Sequence, residues 1–457
     1  MRQPIVDPAL LARAHEHART FLERLPERHV GARATREELH AALGCALPET
    51  GDDPLRVVDD LAAAAERGVV ASAGPRYFGF VIGGSLPAAL AADWLTSAWD
   101  QNPGIYATSP LASVVEEIAA SWVLEVLDLP RTASVGFVTG CQMANFTALA
   151  AARHAVLRRA GWNVEEDGLD GAPRVHLFVS AEAHVTILTS MRMLGFGTSK
   201  LRAIPTDGEG RMRPSELEEA MRGVDGPAIV CAQAGNVNTG SFDPLADIAE
   251  IARARGAWLH VDSAFGLWAR ASASLRHLAA GIDRADSWAT DAHKWLNVPY
   301  DCGIAIVRDA ASHRAAMTVS ASYLQQTAGV ERDALDWVPE FSRRARGLPV
   351  YAALRTLGRK GIEALVDRCC RHARMMAEVL ARDPRVTILN DVVLNQVLVR
   401  FEDDDEATRA VIARVQREGT CWLGGTTWHG MTAMRISFSN WATSDADVER
   451  SARAILG

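Results

Sequence analysis

The sequence predicts an α/β protein whose core is a mainly parallel sheet flanked by helices. Short apolar runs at 134–139, 174–180, 228–232 and 257–262 alternate with longer stretches of helical periodicity, the pattern of right-handed β-α-β crossovers. Several of these runs stop at glycine or a polar residue, as at Gly140, Gly235-Asn236 and Asp262-Ser263, where open α/β sheets bind ligands. At 457 residues the chain also exceeds what one hydrophobic core usually serves. Three parts are expected: an N-terminal helical segment over 1–90, a large α/β domain over 91–342 and a small C-terminal α+β domain over 343–457.

Asp7-Pro8 opens the first helix, a side-chain cap followed by proline at the first helical position. Leu11, Ala14, Ala18, Phe21, Leu22 and Leu25 form its apolar stripe. Helices follow at 37–42 and 54–67. Residues 77–84, Tyr-Phe-Gly-Phe-Val-Ile-Gly-Gly, are too glycine-rich for a helix and read as a loop or short strand. Residues 93–102 are helix-like, and Ser109-Pro110 starts a helix with Leu111, Val114, Val115, Ile118 and Trp122 on its buried side. The strand 134–139 passes through Gly140-Cys141-Gln142-Met143-Ala144-Asn145 into a helix over 146–158. Strand, glycine turn and helix aim unpaired N–H groups at an anion. After the strand 174–180 come His184, a turn at 207–210, a helix over 214–222, the strand 228–232, a polar turn at 235–240 and a helix over 244–255. Past residue 295, a turn at 299–303 and a strand over 304–307 precede a polar, irregular segment at 323–337. The C-terminal part reads as a helix ending near Leu354, a second over 362–382, strands at 386–389 and 395–401, and a helix over 405–418. A strand at 433–438 and a last helix capped by Ser444 complete it.

A hydrophobic fraction of 48% and a charged fraction of 23% are those of a globular protein. The net charge of −8 argues against nucleic acid or an anionic membrane as partner. The seven cysteines, at 45, 141, 231, 302, 369, 370 and 421, include no C-x-x-C pair. Neither a zinc site nor a disulfide framework is expected, and a reducing cytoplasm suits them. No signal-peptide pattern opens the chain, and no apolar run approaches a membrane span.

The chemistry centres on 257–295. Ala257-Trp258-Leu259-His260-Val261-Asp262 reads as a buried strand ending in a carboxylate at the ligand-binding edge of the sheet. Thr290-Asp291-Ala292-His293-Lys294-Trp295 sets a lysine between two large rings. Those neighbours would desolvate the ammonium, lowering its pKa and freeing the amine as a nucleophile.

Together, His260-Val261-Asp262-Ser263-Ala264 and Asp291-Ala292-His293-Lys294-Trp295 resemble the signature of the group II amino-acid decarboxylases, which include aromatic-amino-acid and glutamate decarboxylases. The resemblance runs from about Tyr77 to the C-terminus. It implies the fold type I of pyridoxal 5'-phosphate (PLP) enzymes, with PLP held as a Schiff base on Lys294 and its ring nitrogen paired with Asp262. A histidine stacked on the cofactor ring matches His184. The phosphate is expected on the backbone amides of Cys141, Gln142 and Met143, where the family often has small or hydroxyl residues, with Gly140 also at the cofactor. Asn236 and Asn238, with Ala264, Asp291 and His293, complete the expected cofactor contacts. Phe80, Val81 and Ile82 fall where the aromatic-amino-acid enzymes place substrate-pocket residues. The N-terminal segment of such enzymes lies across a partner subunit, implying a homodimer with shared active sites; packing on its own chain fits the residues equally.

The expected reaction is decarboxylation of an L-amino acid to its amine and carbon dioxide, with Lys294, His184 and Asp262 as catalytic residues and no metal. One departure bears on it. Decarboxylases of this family usually offer a tyrosine from the loop matching 323–337, and none of the five tyrosines, 77, 106, 300, 323 and 351, aligns there. His184, Tyr323 or water would then supply the proton. Aldehyde synthase, carbon–carbon lyase or aminotransferase chemistry on the same scaffold is the alternative, and a non-catalytic PLP-bound protein is a third reading. Arg435 either faces the substrate carboxylate or makes a structural ion pair; the second is favoured. Gly104, near a position that is aromatic in the aromatic-amino-acid enzymes, and the aliphatic Val81 and Ile82 hint at an aliphatic substrate side chain.

Overall fold

The computed structural model describes residues 7–318 and 331–457; Tyr323 and most of the segment expected to close the site lie outside them. The described residues hold eleven strands: β1 Ser134–Val138, β2 His176–Ser180, β3 Arg202–Ile204, β4 Ala228–Gln233, β5 Trp258–Asp262, β6 Ser287–Asp291, β7 Gly303–Val307, β8 Val386–Ile388, β9 Gln396–Phe401, β10 Gly424–Trp428 and β11 Met431–Ser437. The first seven form one sheet in the order β1-β7-β6-β5-β4-β2-β3. β3, β2, β4, β5 and β6 pair in parallel, while β7 runs antiparallel to both β6 and β1. The mainly parallel α/β fold expected from the sequence is what the chain adopts.

Burial explains these strands. β1, β4, β5, β6 and β7 are buried along their whole length, as strands covered on both faces must be. β6 escapes sequence reading because Ser-Trp-Ala-Thr-Asp has neither alternation nor an aliphatic run. The helix expected from 146 begins at Cys141 and runs to Arg159. Its extra first turn packs Cys141 and Ala144 against Val138, Ala289 and Ala305 of the sheet.

The C-terminal part folds around an antiparallel sheet, β10-β11-β9-β8. It is reached through the helix Gly347–Leu380, which breaks at Gly358 (φ +58°), so the two helices expected there run on from one another. Arg343, just before it, is buried in a bidentate pair with Glu116 at 2.7 and 2.8 Å. The N-terminal helices Pro8–Arg24, Arg36–Leu43 and Pro54–Gly68 are capped by Asp7, as expected, and by Thr35 and Asp53, and no residue of any of them is buried. No helix among the described residues is long and apolar enough to cross a membrane.

Candidate active site

β4, β5 and β6 end side by side in Gln233, Asp262 and Asp291, and a cleft of about 510 Å³ opens on their carboxyl ends. Its wall holds Gly140, Cys141 and Gln142 from the start of the helix Cys141–Arg159, then His184, Ala264, His293 and Lys294. Phe80, Gly425 and Arg435 close it from beyond the large sheet.

Asp291 organises one end. Its Oδ2 lies 2.9 Å from Lys294 Nζ, and its Oδ1 accepts the Cys141 amide at 2.6 Å. Burial opposes the charge on Lys294, yet Asp291 and Asp262 outweigh it and raise the lysine pKa. The lowered value expected from its crowded neighbours is thus reversed, because those neighbours bring a carboxylate with them. His293 accepts the Cys302 amide through Nδ1 at 3.1 Å and turns Nε2 toward Asp291 at 3.5 Å. Burial holds its pKa below the ordinary value. Tyr300 stacks on the other side of that imidazole, ring centroids 4.3 Å apart.

The other end is built on Asp262. Asn145 Nδ2 donates to its Oδ2 at 3.3 Å, and the Cys141 thiol reaches its Oδ1 at 3.5 Å. Asn145 Oδ1 faces His260 Nε2 at 2.9 Å, while His260 Nδ1 faces Ser287 Oγ at 2.9 Å. His184 caps the helix Val185–Met193 and meets Thr186 Oγ1 at 2.8 Å. Burial lowers the His184 pKa, with Lys294 and Arg435 adding to the effect and Asp262 opposing it. At the start of the helix Cys141–Arg159, the N–H groups of Gln142 and Met143 have no hydrogen-bond partner among the described residues. That is an anion site in waiting, on the backbone rather than on hydroxyls.

Several expected contacts fall elsewhere. Asn236 Oδ1 accepts from the backbone of Asn238 and Thr239 to close its own turn, and Asn238 accepts from Thr426 of β10; neither lines the cleft. Of the three residues expected at the substrate pocket, only Phe80 lines it. Phe80 and Val81 both adopt left-handed conformations, φ +54° and +57°, which breaks the extended alternation and sends Val81 into the main core and Ile82 against Tyr77. The hint of an aliphatic substrate drawn from those two residues therefore lapses. Arg435 on β11 makes no ion pair among the described residues, so the favoured structural pairing is absent and its guanidinium is left to the cleft.

Two glycines bring backbone to backbone here. A Cβ on Gly303 would sit 2.3 Å from the carbonyl carbon of Gly140, and one on Gly83 1.8 Å from the carbonyl oxygen of Lys294.

Residues 37–402 match the pyridoxal-dependent decarboxylase conserved domain. A tryptophan decarboxylase of Oryza sativa subsp. japonica is 29% identical over 426 residues, 86% of this chain and 82% of its own length. A phenylacetaldehyde synthase of Arabidopsis thaliana is 26% identical over 439 residues, 91% of this chain and 88% of its own. Among solved structures, Oryza sativa TDC with PLP and tryptamine superposes with a TM-score of 0.92 at 25% identity, covering 100% of this chain and 98% of that one.

Proposed function

The chain belongs to the group II PLP-dependent amino-acid decarboxylases, and on that premise we propose that it binds PLP through Lys294 and converts an L-amino acid to its amine and carbon dioxide. The observation that carries this reading is the meeting, in one cleft, of Lys294, Asp262, His184 and the unpartnered N–H groups that open the helix Cys141–Arg159. A primary amine, a carboxylate for a pyridine nitrogen, a ring to lie over a ring and an anion cradle are the four groups such a cofactor needs. Bound there, the cofactor supplies an electron-accepting ring for the charge left at Cα when carbon dioxide departs. The rest falls to the chain.

Asp262 would hold the ring nitrogen through its carboxylate and so favour a proton there. His184 would lie against the ring. Arg435, half-buried and without an ion pair among the described residues, takes an acidic group of the substrate. Tyr77, buried, and Tyr300, 57% exposed, are phenols raised to about 12, so both hold their protons at neutral pH. Tyr300, stacked on the imidazole that precedes Lys294 in the chain, is the phenol of choice for returning a proton to Cα. Adding PLP should produce a visible absorbance band that Lys294→Ala abolishes; a band that survives the substitution overturns the assignment.

Aldehyde synthesis is the second reading, favoured by the similarity to the Arabidopsis synthase along 91% of the chain. Amine with carbon dioxide alone decides for the first; aldehyde with peroxide and ammonia decides for the second. The division at 1–90, 91–342 and 343–457 is retained as part of this reading. So is a cytoplasmic homodimer: the N-terminal helices leave Leu11 61% and Leu61 56% exposed, and every cysteine except Cys45 is a buried free thiol.

A further inference from the structure

We infer that Asn145 and His260 are positioning residues, joined in a buried uncharged relay that fixes the orientation of Asp262 and the protonated nitrogen of His184 together. The inference rests on the cofactor reading for the importance of those two groups, but the relay itself is a property of the chain alone.

Its direction follows from the carboxylate. An ionised Asp262 can only accept, so Asn145 must turn its NH2 toward it and its oxygen toward His260. His260 Nε2, 2.9 Å from that oxygen, must then carry a hydrogen. A single proton on the ring leaves Nδ1 as an acceptor, so the Ser287 hydroxyl donates to it at 2.9 Å. Ser287 Oγ is free to do so because it accepts at its oxygen from the Trp258 indole N–H, a donor only, at 2.9 Å. The order Trp258, Ser287, His260, Asn145, Asp262 therefore has one consistent sense, and every partner in it is satisfied. His260 is wholly buried and pushed down to about 3 by that burial, so the relay stays uncharged across the working pH range.

Asn145 has a second amide hydrogen. It reaches Thr186 Oγ1 at 3.4 Å, which leaves the Thr186 hydroxyl to donate to His184 Nδ1 at 2.8 Å. The Thr186 backbone N–H also points at that nitrogen, at 3.4 Å. Two donors on Nδ1 place the His184 proton on Nε2. One carboxamide thus sets the acceptor geometry of Asp262 and the tautomer of His184.

The test begins on the cofactor-free protein with 15N-labelled histidine. Nitrogen shifts should show His260 and His184 protonated on Nε2, with His260 unchanged from pH 5 to 9; a His260 protonated on Nδ1, or titrating in that window, overturns the relay. In the PLP-bound protein, Asn145→Ala and His260→Phe should raise the PLP dissociation constant about ten- to a hundredfold, the range for one hydrogen bond to a charged group. The visible band should also become pH-dependent between 6 and 9. His260→Gln, which keeps a donor and an acceptor, should recover most of the wild-type spectrum. Folded variants with wild-type affinity and band shape overturn the proposal. If the variants do not fold, the wild-type histidine shifts still decide it. A wild-type protein that gives no band with PLP would instead refute the cofactor reading and leave the relay to stand or fall on those shifts.

Discussion

Asp291 holds the Lys294 ammonium at 2.9 Å while its second oxygen takes the Cys141 amide at 2.6 Å, so the lysine amine is tied to the loop expected to cradle the cofactor phosphate. The ion pair keeps Lys294 charged, and carbonyl addition requires the neutral amine. PLP capture by the wild-type protein should therefore accelerate steadily from pH 6 to 9. Asp291→Asn should move that rise about one to three units toward lower pH, speeding capture at pH 7 about tenfold or more. Stopped-flow absorbance against pH measures it, and an unshifted profile would show that Asp291 does not govern the amine.

Arg435 tests substrate anchoring. Arg435→Gln should raise KM about thirtyfold or more, the consequence of losing one partner of a desolvated charge pair, and leave PLP affinity unchanged. Unchanged KM across a panel of amino acids would place the anion elsewhere.

Tyr300→Phe retains the stack on His293 and deletes only the hydroxyl. It should lower kcat about a hundredfold, the smaller end of what a general acid contributes, with KM and the PLP band preserved. A wild-type kcat would pass the proton-donor role to His184 or water.

The buried pair of Glu116 and Arg343 belongs to folding. Glu116→Ala leaves a guanidinium buried without its carboxylate and should destabilise the protein by about 3–5 kcal/mol. Glu116→Leu combined with Arg343→Met should recover most of that loss. Denaturant midpoints compare the variants; equal losses in the single and double variants would contradict the pairing.

Acid should weaken the fold through His260 and His313, both wholly buried and both pushed down by burial to about 3. Their folded values lie below the unfolded one near 6.5, so the unfolded chain binds the extra protons. The stability they contribute is complete above pH 6.5 and is lost as pH falls toward 3, about 2 kcal/mol each by pH 5. His313→Phe should remove nearly one proton from the pH slope of stability between 6 and 4. A slope equal to that of the wild type would assign the acid sensitivity to other groups.

Lys294 and Asp262 were legible because each sits in a contiguous string whose chemistry is local. Arg435 reads from the sequence as half of a structural pair, and Tyr300 does not read as a donor: β11 brings the first to the cleft and the turn after Lys294 stacks the second on His293, through packing that leaves no mark on their immediate neighbours. The antiparallel insertion of β7 between β1 and β6 is equally silent, since Gly-Ile-Ala-Ile-Val suits either direction. Val81 is placed at the pocket by resemblance alone, and the left-handed backbone at Phe80 and Val81, which turns it into the core, cannot be read from an apolar Phe-Val-Ile run. His260 stood in plain view inside the signature string, yet its partner Asn145 lies 115 positions away, beyond the reach of any spacing argument.

The contact between Gly303 and Gly140, with no room for a methyl group between them, has an evolutionary corollary. The floor of the cleft cannot be reshaped there by even one added carbon. New specificities on this scaffold must be drafted in the overhanging walls, at positions such as Phe80, where a side chain can be exchanged without disturbing that floor.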